Sequence, residues 1–138
     1  MADARVLVAD DHALFRQAVG EELEEAGFDV CAEAASAEEA VMLALSLSPA
    51  LCLLDINMWG SGIDAGRAIL ERLRDTKIVI LTAAADYDDF VSAVRAGARG
   101  FLLKDDDPRQ FGDALREVLA GGTAYPHDYA TRIDATRR

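Results

Sequence analysis

Five polar residues each lie at the end of an apolar, strand-like run. Asp10 and Asp11 follow VLVA, Asp55 ends ALCLLD, Thr82 ends KIVILT and Lys104 ends RGFLLK. Carboxylates at the ends of buried strands are costly, because like charges repel and each loses hydration on burial. Mg²⁺ prefers such hard oxygen ligands, a lysine ammonium reaches a bound anion, and a hydroxyl donates a hydrogen bond. Together these groups favour phosphoryl transfer to a carboxylate.

Alternating strand-like and helix-like segments would bring these residues together. The five strand-like runs are ARVLVA, FDVCAEA, ALCLLD, KIVILT and RGFLLK, and a helix-like segment follows each. Strands that are apolar throughout are typical of a parallel sheet with helices on both faces. Right-handed crossovers place the carboxyl ends of all the strands at one edge, where ligands of such sheets bind. The sequence therefore predicts an α/β fold with the polar residues at that edge.

Several helix ends are marked by local sequence. Ser36 and Glu39 have capping-box spacing. Asp86 and Asp107 are expected to cap the fourth and fifth helices, and Pro108 occupies the first helical position of the fifth. The third helix is expected over RAILERLR, after a loop INMWGSGIDAG.

Composition narrows the class of protein. The 138 residues suit one domain, and the formal net charge of −11 disfavours contact with nucleic acid through this domain. No apolar run approaches the roughly 20 residues that a membrane helix needs, and no signal peptide is visible, so no membrane contact is expected. Cys31 and Cys52 lie in apolar, strand-like runs, which favours reduced thiols and a cytoplasmic protein.

The motifs VADDH, LLDINM, ILTA and GARGFLLKD together resemble response-regulator receiver domains, the phosphoacceptor half of bacterial two-component signalling. DDHALFRQ and GARGFLLKD further resemble the NarL/LuxR-type subgroup, whose receivers usually precede a helix-turn-helix DNA-binding domain. The resemblance implies a flavodoxin-like, doubly wound five-stranded parallel sheet of order 2-1-3-4-5. It divides the chain into a receiver at 1–122 and a weakly held tail, or the start of a linker, at 123–138. The chain would be a receiver fragment or a natural single-domain protein.

The resemblance also assigns roles at the predicted edge. Asp55 would be the phosphoacceptor, which attacks a phosphohistidine of a sensor histidine kinase. Asp11 and Asp55 would bind Mg²⁺ directly with the backbone carbonyl of Asn57, while Asp10 would act largely through water. Lys104 would contact the phosphoryl oxygens.

Two further residues would form the switch of the family. Thr82 would move to the phosphoryl group, and the aromatic side chain of Phe101 would swing inward to fill the vacated space. The face formed by the fourth helix, fifth strand and fifth helix would change shape, control an output such as transcription, and support a phosphorylation-linked homodimer.

One loop departs from the family pattern. Met58 is followed by Trp59, where the family usually has proline, and WGSGIDAG looks one or two residues longer than usual. Its three glycines predict a mobile loop. Because exposed tryptophan is enriched at binding hot spots, Trp59 raises an alternative: a degenerate receiver that acts as a phosphorylation-independent docking module.

Two other classes fit the sequence less well. A haloacid-dehalogenase-like phosphatase would need a second acid two residues after Asp55, where Asn57 lies. A flavin-binding module would need a small-residue phosphate loop after the first strand, where DDHALF places negative charge. The only catalysis expected is therefore phosphorylation and dephosphorylation of Asp55 itself.

Overall fold

Five parallel strands form one sheet, as the sequence predicts. The computed structural model describes residues 4–84 and 86–137, with side chains through residue 132. The strands are β1 (Arg5–Ala9), β2 (Asp29–Ala34), β3 (Leu51–Asp55), β4 (Lys77–Thr82) and β5 (Gly100–Leu103). Their order is β2-β1-β3-β4-β5, and all four neighbouring pairs are parallel. The predicted α/β fold and strand order are confirmed.

Helices follow the strands in the expected alternation. They are α1 (Ala13–Glu25), α2 (Ala37–Leu47), α3 (Gly62–Arg72), α4 (Tyr87–Arg95), a 3₁₀ turn (Pro108–Gln110) that leads into α5 (Phe111–Leu119), and α6 (His127–Arg137). Within the described ranges, no helix has both the length and the apolar character required to span a membrane.

The strands bury alternate side chains in two separate core layers. Leu54 and Ile80 pack with α2, α3 and α4 on one face of the sheet. Leu53 and Leu81 pack with α1 and α5 on the other face. Two-sided burial explains why the central strands are apolar throughout. Cys31 and Cys52 are thiols rather than a disulfide, and burial raises the pKa of the Cys52 thiol to about 12.

Ser36 and Asp86 cap α2 and α4 as predicted, whereas Asp107 caps the 3₁₀ turn, and α5 begins later, at Phe111, without a side-chain cap. Ser36 Oγ accepts a hydrogen bond from the Glu39 N–H at 3.1 Å, and Glu39 Oε1 accepts one from the Ala35 N–H at 2.7 Å. Asp86 caps α4 through the Asp89 N–H, and Asp107 accepts from the Arg109 N–H before the 3₁₀ turn. Each cap satisfies an amide that the helix itself leaves unpaired.

The loop after Asp55 is shorter than expected. Helix α3 begins at Gly62, five residues before the expected start at Arg67, and Ser61 Oγ caps it through the Asp64 N–H. A Cβ at Gly62 would lie 2.2 Å from the carbonyl oxygen of Asp55, so glycine allows the helix to begin directly against β3. Three glycines were expected to make this loop mobile. Two of them, Gly62 and Gly66, lie within α3 and are buried.

The C-terminal segment, predicted as a weakly held tail or the start of a linker, pairs with β5 near its beginning. The Phe101 N–H donates to the Ala124 carbonyl and the Ala124 N–H donates to the Arg99 carbonyl, both at 2.9 Å, so the segment forms an isolated parallel β-bridge beside β5. Five rings then form an aromatic cluster that joins this segment to α4 and β5. The aromatic cluster consists of Tyr87, Phe90, Phe101, Tyr125 and Tyr129. Packing of these rings holds the segment that sequence alone left unplaced.

Candidate phosphoacceptor site

Three carboxylates meet at the carboxyl edge of the sheet. Asp10 and Asp11 directly follow β1, Asp55 is the last residue of β3, and the two strands are neighbours. One oxygen from each carboxylate lies within 4.8 Å of the others. Asp10 and Asp55 are buried, with 1% and 4% of their surface exposed, whereas Asp11 is exposed. We call Asp10, Asp11 and Asp55 the acidic edge.

Lys104 supplies the positive charge at the acidic edge. It directly follows β5, and its Nζ lies 2.7 Å from Asp10 Oδ2 and 3.4 Å from Asp55 Oδ2. The Lys104 side chain is 17% exposed, so the ion pairs are largely shielded from water. The strength of a charge pair rises as the surrounding water is removed, and the ammonium therefore offsets much of the repulsion between the two buried acids.

The charge balance at Asp55 is still unfavourable. Burial raises the pKa of the Asp55 carboxyl, and the nearby Asp10 charge raises it further. The Lys104 ammonium and the Asn57 N–H, which donates to Asp55 Oδ1 at 3.4 Å, act in the opposite direction. A further positive charge close to Asp55 would relieve the remaining cost of ionisation.

Asp10 has an oxygen suited to such a cation. Its Oδ1 accepts a hydrogen bond from the His12 N–H at 2.8 Å. Its Oδ2 is fully buried, and its partner among the described residues is the Lys104 ammonium at 2.7 Å. Mg²⁺ binds oxygens at about 2.1 Å, so ligands on opposite sides of the ion are roughly 4.2 Å apart. The three carboxylate oxygens lie within 4.8 Å of one another, so the acidic edge is compact enough to share one Mg²⁺.

The other predicted residues lie around the acidic edge. Asn57 is exposed in the turn after β3, two residues beyond Asp55. Thr82 is buried at the end of β4, next to β3 in the sheet. Its hydroxyl donates to the Ala84 carbonyl at 3.0 Å and accepts from the Ala84 N–H at 3.3 Å. The hydroxyl is thus held by its own turn in this structure.

Phe101 does not occupy an exposed position from which it could swing inward. Its side chain is 1% exposed and packs edge to face on Phe90, with 5.4 Å between the ring centroids. The ring lies in the core layer of α2, α3 and α4. The switch role that the resemblance implies for Phe101 stays a prediction, and the ring in this structure is already inside.

Two residues of α1 that sequence analysis did not select also support the site. The Phe15 ring lies beneath Lys104, with Nζ 4.9 Å from the ring centroid. Arg16 Nη1 donates to the Asp10 carbonyl at 2.6 Å, and Arg16 Nε pairs with Glu33 at 2.9 Å. Both residues lie in the first turn after Asp10 and Asp11. Proximity in sequence to those acids was the one clue that could have identified them.

Trp59 lies four residues after Asp55, and its side chain faces solvent. Its side chain is 78% exposed, while its carbonyl accepts a hydrogen bond from the Ala37 N–H at 2.7 Å. The backbone is therefore anchored to the start of α2, and the indole ring is presented outward.

A 2-1-3-4-5 parallel sheet with an acidic edge, a buried threonine and a lysine on four neighbouring strand ends defines a receiver-type α/β domain. The sequence profile of the response regulator receiver domain matches residues 6–116. The chain belongs to this family.

Individual relatives place it near the LuxR and NarL subgroup, as predicted. The transcriptional regulatory protein LiaR of Bacillus subtilis is 38% identical over 119 residues, which cover 85% of this chain and 56% of LiaR. A LuxR-family two-component response regulator from Aurantimonas sp. SI85-9A1 superposes with a TM-score of 0.89 at 33% identity, with 98% of both chains covered. The receiver domain of a putative NarL from Mycobacterium tuberculosis superposes with a TM-score of 0.83 at 31% identity, covering 88% of this chain and 99% of that one. The chain thus spans little more than half the length of the curated relative LiaR.

Proposed function

We propose that this receiver accepts a phosphoryl group on Asp55 from a phosphohistidine of a sensor histidine kinase, in a reaction that requires Mg²⁺. The observation that carries the proposal is the convergence of three carboxylates within 4.8 Å, with Lys104 Nζ 3.4 Å from the acceptor. Both Asp10 and Asp55 are buried, where an ionised carboxylate is costly. A site with two buried acids beside one lysine is suited to bind a cation. Its ammonium can also stabilise negative charge on a transferred phosphoryl group.

Each residue has a defined task in the proposed reaction. Asp55 Oδ attacks phosphorus, and the bond from phosphorus to the kinase histidine nitrogen breaks as the new P–O bond forms. Asp11, Asp55 and the Asn57 carbonyl would hold Mg²⁺, with Asp10 acting largely through water. The ion would neutralise phosphoryl charge and orient the transferred group. Lys104 moves from its ion pairs to the phosphoryl oxygens.

Thr82 and Phe101 would report the phosphorylation. The Thr82 hydroxyl exchanges its hydrogen bonds with Ala84 for one to the phosphoryl group, which displaces the turn before α4. Because Phe101 packs on Phe90 of α4, that displacement reaches the face formed by α4, β5 and α5. A changed face would control a phosphorylation-linked homodimer and, in a longer protein, transcription through a helix-turn-helix domain. The cytoplasm is the compartment that this chemistry and the two thiols suit.

A mass measurement tests the central step. Incubation with acetyl phosphate and Mg²⁺ is expected to add the mass of one phosphoryl group to the wild type and none to Asp55→Asn, because the amide is not a nucleophile. Asp11→Ala is expected to weaken Mg²⁺ binding. Lys104→Ala is expected to slow phosphorylation more than it weakens Mg²⁺ binding, and an equal loss of both would contradict the separate roles.

A phosphorylation-independent docking module is the second candidate. The 78% exposure of Trp59, four residues after Asp55, favours it, because a large exposed aromatic side chain is suited to a protein contact. Wild-type protein that binds Mg²⁺ but gains no mass with acetyl phosphate would favour docking over phosphoryl transfer.

A further inference from the structure

The ammonium of Lys104 has two different kinds of neighbour. On one side are Asp10 Oδ2 and Asp55 Oδ2, at 2.7 and 3.4 Å. On the other side is the Phe15 ring, whose centroid lies 4.9 Å from Nζ. Phe15 is itself partly buried and packs against the core layer of α1 and α5. The ring is therefore held in place beneath the lysine by the body of the domain.

The two kinds of neighbour constrain the lysine differently. A carboxylate attracts the ammonium to one oxygen along a hydrogen-bond direction, whereas the face of an aromatic ring attracts a cation over a wider area. Phosphoryl transfer to Asp55 requires Lys104 to leave its carboxylate partner for the new phosphoryl oxygens. The ring can remain in contact through that movement, because no hydrogen bond to the ring has to break.

We propose that Phe15 is a positioning residue, whose ring face keeps the Lys104 ammonium at the acidic edge while its anionic partners change. The inference rests on the proposed phosphoryl transfer. In this scheme Phe15 neither binds the metal nor donates to the phosphoryl group, and it acts through Lys104. Replacement of the ring by an aliphatic side chain should therefore slow phosphorylation and leave the metal site nearly intact.

The chain offers a matched control. The Arg116 guanidinium lies over the Phe28 ring, 5.0 Å from its centroid, and Phe28 belongs to the same core layer as Phe15. Phe28 directly precedes β2, so it lies at the amino ends of the strands, on the opposite side of the sheet from the acidic edge. Phe28→Leu removes a ring and a cation contact from the same layer without altering the surroundings of Lys104.

The first experiment compares phosphorylation with metal binding. Phe15→Leu is expected to lower the rate of phosphorylation by acetyl phosphate about fivefold at saturating Mg²⁺. This factor corresponds to the loss of one partly shielded cation–π contact. The Mg²⁺ dissociation constant, read from the fluorescence of the single tryptophan, should change by less than about twofold. Phe15→Tyr, which keeps the ring, should restore the rate. An unchanged rate in Phe15→Leu, or an equal loss in Phe28→Leu, would overturn the proposal.

The second experiment does not depend on phosphorylation. The chain has two lysines, Lys104 and Lys77. Lys77 is the first residue of β4, at the amino ends of the strands and far from the acidic edge. Trace acetylation followed by peptide mass spectrometry gives the reactivity of Lys104 relative to Lys77. In metal-free protein, Phe15→Leu should raise this ratio about fivefold, while Phe15→Tyr and Phe28→Leu should leave it unchanged. An unchanged ratio in Phe15→Leu would show that the ring does not hold the ammonium. If the wild type were not phosphorylated, the proposed function would be wrong. The reactivity ratio would still show whether Phe15 holds the Lys104 ammonium.

Discussion

The acidic edge and the aromatic cluster both join segments that are distant in sequence, but by opposite physical means. At the acidic edge, buried carboxylates repel one another, and a single lysine offsets part of the cost. In the aromatic cluster, five rings bury apolar surface and contact one another at centroid distances between 5.1 and 6.0 Å. The rest of the fold keeps the acidic edge in place against its own repulsion, whereas the aromatic cluster stabilises the fold.

This difference indicates where function lies. Packed rings lower the free energy of the folded state without further partners. Crowded carboxylates raise it and are relieved only when a cation or a proton arrives. Removing groups from the two regions should therefore change stability in opposite directions.

The largest expected effect is a loss of stability in the aromatic cluster. Phe90 is fully buried and contacts four other rings, so Phe90→Ala should lower the free energy of unfolding by about 4 kcal/mol. Urea denaturation measures this change. Phe111→Ala is the control, because Phe111 is equally buried and, in the described part of the chain, has no aromatic contact. If the two substitutions cost the same, the ring contacts would add nothing beyond burial.

A smaller, local effect is expected at the C-terminal segment. Tyr129 packs on Phe90 and Tyr87 at 5.2 and 5.3 Å, and Tyr129→Ala removes both contacts. Hydrogen exchange of the Ala124 N–H, which bonds to Arg99, should accelerate about tenfold, since two such contacts are worth roughly 1–2 kcal/mol. Tyr129→Phe keeps the ring and should exchange like the wild type. Unchanged exchange in Tyr129→Ala would show that the rings do not hold this segment.

The smallest expected effect is a gain of stability at the acidic edge. The pKa of Asp55 is raised above its ordinary value, so the unfolded chain loses this proton at lower pH than the folded protein. The resulting loss of folding free energy is absent well below pH 4. It grows between the ordinary and the raised pKa of Asp55 and is constant at higher pH. In chelator, Asp55→Asn should raise Tm by about 4 °C at neutral pH, or about 1 kcal/mol, and by less near pH 4.

Exposed Asp11 provides the comparison for that measurement. Asp11→Asn removes the same charge from the acidic edge but from a solvated position, so its gain in Tm should be smaller. A lower Tm for Asp55→Asn, or a gain that shrinks as the pH rises, would mean that Lys104 overcompensates the repulsion.

Local patterns in the sequence predicted much of the fold and of the site. The strands, their order by resemblance, and the caps at Ser36 and Asp86 agree with the structure, whereas Asp107 caps the 3₁₀ turn that leads into α5. Four strand ends were also correctly read as one polar edge, because parallel strands bring their carboxyl ends to the same side. The start of α3 was wrong, since glycine was read as a loop residue. Gly62 is needed instead because the backbone of Asp55 approaches it closely.

By itself, the sequence determined which chemical groups reach the carboxyl edge, because alternation, caps and strand ends are encoded by neighbouring residues. Only the tertiary structure decided which groups touch there: the ring of Phe15 beneath Lys104, the pairing of Lys104 with Asp10, and the rings that hold the C-terminal segment. These contacts join residues far apart in the chain. Their distances depend on how whole helices pack against the sheet, and no local pattern specifies that packing.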